Sequence, residues 1–308
     1  MPSAAAHKTG LPAVAPLSPL VAERVAALLQ AADHVLIGAG AGMSVDAGFD
    51  YTSEAQFVRR YPVLSKQGPR CRYHLFGYPW PSPAVQWGHI ARHLEELRFG
   101  PPPDPVPYEQ LRALTETKDR FVVTSNADDL FERLGFSAER LWTRQGSYSR
   151  LQCLAPCSPE STWPAGPFVE AAVPKVDLAT EELTDPALVP RCPRCGGEAM
   201  LNVRGGDWFL ETPYQPQGQR FEAWLKKAFA GRLLILDVGT GFNTPSVVRW
   251  LVEEIALAHS DADLVRVNAF HPEVPRELGR RGLGIATAGA PLWAALTSLA
   301  RESAPPRT

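Results

Sequence analysis

Short apolar runs that end in small or polar residues are the feature that most limits how this chain can fold. The runs cover 34–37, 120–124, 233–238 and 264–267, and a further strand is predicted over 283–286. Helices are predicted between the later runs, over 218–230, 245–258 and 290–301. Short buried strands that alternate with helices indicate an α/β fold, with a parallel sheet covered on both faces. Ligands of such sheets bind beyond the carboxyl ends of the strands.

Charge and hydropathy narrow the class of protein. The 308 residues carry a net charge of -2, and 45% of them are hydrophobic. This balance gives no reason to expect nucleic-acid binding, so an anionic ligand has to be held by local groups. No apolar run approaches the roughly 18 residues of a membrane span, and the N-terminus lacks the apolar core of a signal peptide. We expect a cytoplasmic protein, with neither nucleic acid nor membrane as a partner.

Four of the five cysteines form two close pairs, Cys153 with Cys157 and Cys192 with Cys195. In a reducing compartment such spacing indicates metal ligands before disulfides. Two residues between thiolates allow a tight turn to direct both at one ion, which favours tetrahedral zinc. Four protein ligands leave no open position, so the zinc is expected to be structural. Cys71 stands alone and is interpreted as a buried thiol.

The first apolar run leads into a glycine-rich turn at 38–44, which is typical of the start of a nucleotide-binding unit. Glycine lets the backbone approach a diphosphate, and the next helix supplies N–H donors. A dehydrogenase would also need a second strand that ends in an acidic residue about 20 positions later. Residues 55–62 do not form such a strand. Hydride transfer is therefore disfavoured, while a strand–helix turn without a ligand stays open.

Composition divides the rest of the chain. Residues 1–17 are rich in alanine and proline and are predicted to be disordered, and 18–302 form one folded unit. Residues 51–110, with many aromatics and a helix over 84–98, are predicted to be a helical insertion. Residues 151–211 hold both cysteine pairs and no long periodic element, so they are predicted to be a small metal-binding module. The parallel-sheet domain is then built from 18–50, 111–150 and 212–302.

Five segments resemble, in the same order, motifs of the sirtuin family. The loop 40–44 resembles the first NAD-binding motif, and 124–130 resembles Thr-Gln-Asn-Ile-Asp-x-Leu. Residues 145–147 read Gln-Gly-Ser where the family has His-Gly-Ser. Gly239-Thr240 resembles the Gly-Thr-Ser phosphate loop, and Val267-Asn268 resembles the late Ile-Asn motif. The resemblance covers about 34–289.

The resemblance implies a Rossmann-like domain and a small zinc module, with NAD as co-substrate between them. It implies a diphosphate and a nicotinamide-side ribose held by Gly40, Ala41, Gly42 and Ser44. It also implies that Asn126 acts near that ribose and that Asp128 holds the nicotinamide carboxamide. Phosphate would be bound by Gly239 and Thr240, and the adenine-side ribose by Asn268. Asn126 and Asp128 are also good capping residues, which is the structural alternative for both.

Two departures from the family pattern point to one subclass. The family follows its glycine loop with Gly-Ile-Pro-Asp-Phe-Arg, but residues 48–53 read Gly-Phe-Asp-Tyr-Thr-Ser and lack that Asp and Arg. Gln145 replaces the catalytic histidine. Both changes are similar to the macrodomain-associated sirtuins (SirTM), which implies a protein ADP-ribosyltransferase. For that class the resemblance implies a lipoylated carrier protein as acceptor and a macrodomain hydrolase as functional partner.

The glutamine bears on the chemistry as well as on the subclass. Sirtuin deacylation needs a base that takes a proton from a ribose hydroxyl, a role that suits histidine. A glutamine amide only donates or accepts hydrogen bonds. ADP-ribosyl transfer does not need that step, so Gln145 and Asn126 are the candidate catalytic residues, acting by orientation.

Three alternatives stay open. The first is a deacylase that uses another histidine as its base. The second is an NAD-hydrolysing sensor or defence module, and the third is a non-catalytic protein that binds NAD or ADP-ribose. The histidines available as a base are His74, His89, His93 and His271.

Overall fold

The computed structural model describes residues 17–302, so the predicted disordered N-terminus lies outside the described residues except for Leu17. The strands are β1 (His34–Ala39), β2 (Asp119–Thr124), β3 (Leu141–Thr143), β4 (Gly146–Cys153), β5 (Thr162–Pro164), β6 (Val176–Asp177), β7 (Glu182–Leu183), β8 (Ala199–Val203), β9 (Leu233–Val238), β10 (Ala262–Val267) and β11 (Gly282–Ile285). The helices are α1 (Pro19–Ala31), α2 (Ala41–Asp46), α3 (Glu54–Arg60), α4 (Pro83–Leu94), α5 (Val106–Leu114), α6 (Leu130–Arg133), α7 (Gly166–Ala172), α8 (Gln215–Ala228), α9 (Arg249–Ala258) and α10 (Gly289–Glu302).

Six strands form a parallel sheet in the order β11-β10-β9-β1-β2-β3. All five predicted strands of this sheet are confirmed. The edge strand β3 was not predicted, because three residues are too few to show a periodicity. Helix α1 begins at Pro19, and the side chain of Ser18 before it makes no capping hydrogen bond. None of the helices within 17–302 is both long and apolar enough to cross a bilayer.

The sheet is buried on both faces, as the continuous apolar runs indicate. Along β1 the side chains alternate between two cores. Val35 and Ile37 pack with α1, α5 and α10, whereas Leu36 packs with α8 and α9. The sheet is therefore the middle layer of three, and its strand ends are held rigidly by the helices on either side.

The insertion between β1 and β2 is helical, as predicted. The predicted helix 84–98 is α4 followed by a π-helical turn at Glu95–Phe99. The prolines at 101–107 do not end the helical region, because α5 begins directly after Pro105. Proline is well tolerated in the first turn of a helix, where its missing N–H has no partner to lose.

The small module contains a second sheet, in which β4 lies between β5 and β8, and a separate β6–β7 hairpin. As predicted, 151–211 holds no long periodic element among the described residues, and the longest element wholly within it is α7 with seven residues. β4 has eight residues but begins before 151, and a register shift between Gly146 and Leu151 breaks its alternation of inward and outward side chains. β4 also begins inside the segment that was predicted for the larger domain, and the domain boundaries stay a prediction.

Candidate active site

The central strands bring four loops to one edge of the parallel sheet. Ala39 pairs with both Thr124 and Val238, and Val238 pairs with Val267. The loops that follow β1, β2, β9 and β10 therefore leave the sheet at the same level. Every predicted cofactor-binding residue, and Asn126, lies in one of these loops or directly after it, whereas Gln145 lies between β3 and β4.

Two glycines let the first and third of these loops touch. The N–H of Gly42 donates to the carbonyl of Gly239 over 3.2 Å. A Cβ on Gly42 would lie 2.5 Å from the Gly239 Cα, and Gly239 itself has a φ of +65°. Only residues without side chains fit this contact, so the glycine loop is fixed against the loop after β9.

Two cavities open along this edge. The larger measures about 640 Å³ and lies against the loops after β9 and β10, including Asn268. The smaller measures about 510 Å³ and is lined by Ser44, Asn126, Asp128 and Gln145. Their shared wall consists of Ala41, Tyr51, Tyr73, Gly239, Gly241 and Asn243. The cavities are thus adjoining halves of one cleft, large enough together for an extended dinucleotide.

Asn126 and Asp128 are held in the wall of the smaller cavity by the glycine loop and α2. The Asn126 amide Nδ2 donates to the carbonyl of Gly40 over 2.9 Å. Asp128 Oδ2 accepts from the Ser44 hydroxyl over 2.6 Å, and its Oδ1 accepts from the backbone N–H of Leu130 over 3.0 Å. Burial raises the pKa of Asp128 to about 6, although both donors oppose the shift. Asp128 thus binds the first N–H of α6 from the position before the N-cap residue Asp129, while its role toward a ligand stays a prediction.

Gln145 also lines the smaller cavity. Its Nε2 donates to the carbonyl of Arg204 over 2.6 Å, which fixes the amide plane. Its Oε1 is buried and has no hydrogen-bond partner within the described part of the chain. A buried amide oxygen without a partner is costly.

No histidine is among the described residues that line the smaller cavity. Burial lowers the pKa of His89 to about 3 and that of His93 well below its usual value. His74 is exposed on the insertion, and His271 lines the larger cavity. None of the four alternative bases lines the smaller cavity; His93 packs edge-on against Tyr148, which does, with ring centroids 5.0 Å apart.

Thr240 and Asn268 shape the larger cavity from the side of β9 and β10. The Thr240 hydroxyl donates to Asp237 Oδ1 over 2.6 Å and is buried, so backbone of the flanking glycines, and not this hydroxyl, lines the cavity. The Asn268 Nδ2 donates to the Thr240 carbonyl over 2.7 Å, and its Oδ1 accepts from the N–H of Phe270 over 2.9 Å. The two residues therefore fix each other's loops.

Sequence reasoning missed two polar features of the cleft. The hydroxyl of Tyr51 donates to that of Tyr148 over 3.2 Å, although 97 residues separate them. Asp46, at the end of α2, lines the larger cavity. The only sequence feature that could have pointed to Tyr51 is its place in the segment that departs from the usual motif. Nothing in the sequence pointed to Asp46, because a charged residue at a helix end is normally solvated.

The four paired cysteines come together in the small module. Their sulfur atoms all lie within 4.8 Å of one another. Cys153 and Cys195 are 3.7 Å apart, and Cys157 and Cys192 are 3.8 Å apart. Zn–S bonds of about 2.3 Å in a tetrahedron place the sulfurs roughly 3.8 Å apart. The cluster therefore fits a structural zinc ion. Cys71 is buried and free, as predicted.

Comparisons with known proteins agree with this architecture. A Sir2 homologue solved with NAD superposes with a TM-score of 0.57 over 91% of this chain and 94% of its own, at 14% identity, which speaks for the fold. No family model matches the chain.

Three curated relatives carry the comparison further. The chain is 38% identical, over 85% of its length, to a probable bifunctional ADP-ribose hydrolase/ADP-ribosyltransferase of Fusarium oxysporum f. sp. cubense, but spans only 45% of that protein. It is 25% identical to a protein ADP-ribosyltransferase of Staphylococcus aureus, over 84% of this chain and 82% of that protein. It is 30% identical to NAD-dependent protein deacylase 1 of Pseudomonas aeruginosa, over 79% of this chain and 86% of that protein. The cleft, the cysteine cluster and these relatives together show that the chain belongs to the sirtuin family.

Proposed function

We propose that this protein is an NAD-dependent protein ADP-ribosyltransferase. The observation that carries the proposal is Gln145, which lines the smaller cavity where no described histidine lies. In the reaction, the bond between nicotinamide and ribose C1′ breaks with its electron pair leaving on nicotinamide. An acceptor side chain forms the new bond to C1′ and releases its proton to solvent.

The two cavities suit the two ends of NAD. The ADP half would lie in the larger cavity, over the backbone of Ala41, Gly42 and Gly239, with Asn268 beside the adenine-side ribose. The nicotinamide riboside would lie in the smaller cavity among Ser44, Asn126 and Asp128. Support for this orientation comes from the order of the motifs along the cleft.

Orientation and hydrogen bonding would supply most of the rate. The Gln145 amide, held by the Arg204 carbonyl, and the Asn126 amide, held by the Gly40 carbonyl, would orient the ribose by hydrogen bonds. A positioned amide cannot remove a proton at neutral pH. The second stage of deacylation, which needs a base, would therefore be slowed by about 10²–10⁴-fold.

The acceptor and partners are part of the same proposal. We propose a protein acceptor, with a lipoylated carrier protein as the first candidate. The Fusarium relative's name joins a hydrolase to a transferase, which supports a macrodomain hydrolase as functional partner. We further propose that the protein acts in the cytoplasm, and that residues 51–110 and 151–211 are units set apart from the sheet domain.

The test is intact-mass analysis of carrier proteins, with and without the lipoyl group, after incubation with NAD. We expect the mass of one ADP-ribose on the acceptor, release of nicotinamide, and neither in Asn126→Ala. An acetyl-lysine peptide is the parallel substrate and should stay acetylated. Deacetylation that outpaces transfer would establish the deacylase alternative. Nicotinamide release without a labelled acceptor would indicate an NAD hydrolase, and neither product would indicate a binding protein.

A further inference from the structure

Asp46 is a carboxyl group on the wall of the larger cavity. Its Oδ2 accepts hydrogen bonds from the backbone N–H groups of Gly289, over 2.9 Å, and Ala290, over 3.2 Å. Both donors belong to the first turn of α10. Within residues 17–302 no hydrogen bond to Oδ1 is present. One oxygen therefore anchors the side chain to α10, while the other is available to a ligand in the cavity.

The cavity wall is poor in positive charge. None of the described residues that line it is a lysine or an arginine, and it carries two carboxyl groups, Asp46 and Asp50. His271 is the one lining side chain that can become a cation. Arg249 lies behind the wall, where it is buried and donates to the carbonyls of Thr240 and His271. A diphosphate that enters this cavity meets carboxyl groups with no lysine or arginine side chain among the described lining residues.

The surroundings of Asp46 already disfavour its charge. Burial raises the pKa of Asp46 to about 6, against the two N–H donors of α10, and the nearby Asp104 raises it further. Tyr108 on α5 also interacts electrostatically with the Asp46 carboxyl group. The negative charges of a diphosphate in the same cavity act in the same direction as Asp104, because like charges favour the protonated acid.

We propose that Asp46 binds the ADP half of the dinucleotide as a neutral carboxylic acid, taking up one proton from solvent as the ligand enters. The proposal rests on the proposed function, since it assumes that the larger cavity holds that half of NAD. The proton would reside on Oδ1, because Oδ2 already accepts two hydrogen bonds. The wall then offers a hydrogen-bond donor in place of a repelling carboxylate.

The sign of the pH dependence follows from linkage. The pKa of Asp46 is higher in the complex than in the free protein, so the complex binds more protons. Affinity for the ligand is therefore highest at low pH. It falls as pH rises above about 6, the pKa in the free protein, by up to about tenfold per pH unit. The decline ends above the pKa of the complex, where Asp46 is ionised with and without the ligand.

The experiment is calorimetry with ADP-ribose in two buffers that differ in their enthalpy of ionisation, repeated between about pH 6 and pH 8. ADP-ribose is the probe because its diphosphate is esterified on both sides and has no group that titrates in this range. We expect proton uptake by the wild type. Asp46→Asn keeps an acceptor for α10 and a donor for the ligand, so it should bind ADP-ribose with little uptake and a flatter pH profile.

Asp104→Asn is the matched control, because it removes a neighbouring carboxylate that does not line the cavity. It should shift the midpoint of proton uptake to lower pH without abolishing uptake. Binding without proton uptake in the wild type, or undiminished uptake in Asp46→Asn, would overturn the assignment to Asp46 and leave the cofactor site standing. Failure of the wild type to bind ADP-ribose would overturn the cofactor site and this inference together.

Discussion

At the scale of the residue, the proposed activity depends on one amide. Gln145 is fixed by its bond to the Arg204 carbonyl, and its buried oxygen has no described partner. We predict that Gln145→Ala lowers kcat for transfer by about 10²–10³-fold, the usual cost of losing one positioned hydrogen-bonding group in an active site. KM for NAD should change much less than kcat, because the ADP half of NAD is assigned to the larger cavity, which Gln145 does not line. Steady-state rates of nicotinamide release with the acceptor present measure both constants.

A second glutamine provides the control for that measurement. The Gln217 side chain accepts from the N–H of Thr143, two residues before Gln145, over 2.9 Å, and Gln217 lines neither cavity. Gln217→Ala should keep kcat near that of the wild type. An equal loss in both variants, or a rise in KM alone for Gln145→Ala, would show that Gln145 supports the fold or binds NAD without acting on the ribose.

At the scale of the element, the contact between the β1–α2 turn and the loop after β9 determines the shape of the cleft. We predict that Gly42→Ala weakens NAD binding, because its new Cβ would lie 2.5 Å from the Gly239 Cα and separate the two loops. Forcing a methyl group into such a contact typically costs about 1–3 kcal/mol.

Gly166→Ala is the control for this prediction, since its Cβ would meet the Phe99 ring at an ordinary 3.6 Å. Calorimetry with NAD and urea unfolding of both variants separate binding from stability. Tight binding by Gly42→Ala would refute the role of this contact.

The same elements explain how much the sequence could predict. Strands buried on both faces leave continuous apolar runs, so 34–37 and 233–238 predicted β1 and β9, and the polar residues after them predicted the cleft edge. The pairing of Tyr51 with Tyr148 depends on how the insertion packs against the small module, which no local pattern encodes. Thr240 was predicted to bind phosphate, but its hydroxyl donates to Asp237. Asp237 also forms a fully buried ion pair with Arg266, over 2.6 Å. A buried carboxylate is costly unless donors surround it, and the sequence does not show that Asp237 would need Thr240 as a donor.

At the scale of the whole molecule, the cysteine cluster is coupled to the active site through two strands. β4 and β8 pair antiparallel, so that Cys153 lies opposite Ala199 at one end and Gly146 opposite Val203 at the other. Cys153 is at one end of β4, and Gln145 directly precedes Gly146 at the other end, so the cysteine cluster lies one strand length from Gln145. We infer that the ion aligns the wall of the smaller cavity without touching substrate, and that the larger cavity, built from the parallel sheet, does not depend on it.

This coupling predicts an uneven response to loss of metal. Freshly purified protein should contain about one zinc per chain, and Cys195→Ser should lose it, because a hydroxyl is a poor replacement for a thiolate ligand. Hydrogen exchange should then accelerate in β4 and β8 while β1 and β9 stay protected, since local stability differs between packing units. The rate of transfer should fall because kcat falls, while NAD still binds.

Cys71→Ala is the control, because it alters the one cysteine outside the cluster; it should keep both zinc and activity. Uniform unfolding of both sheets in Cys195→Ser would mean that the ion supports the whole fold. Full activity without zinc would mean that the second sheet holds Gln145 in place unaided.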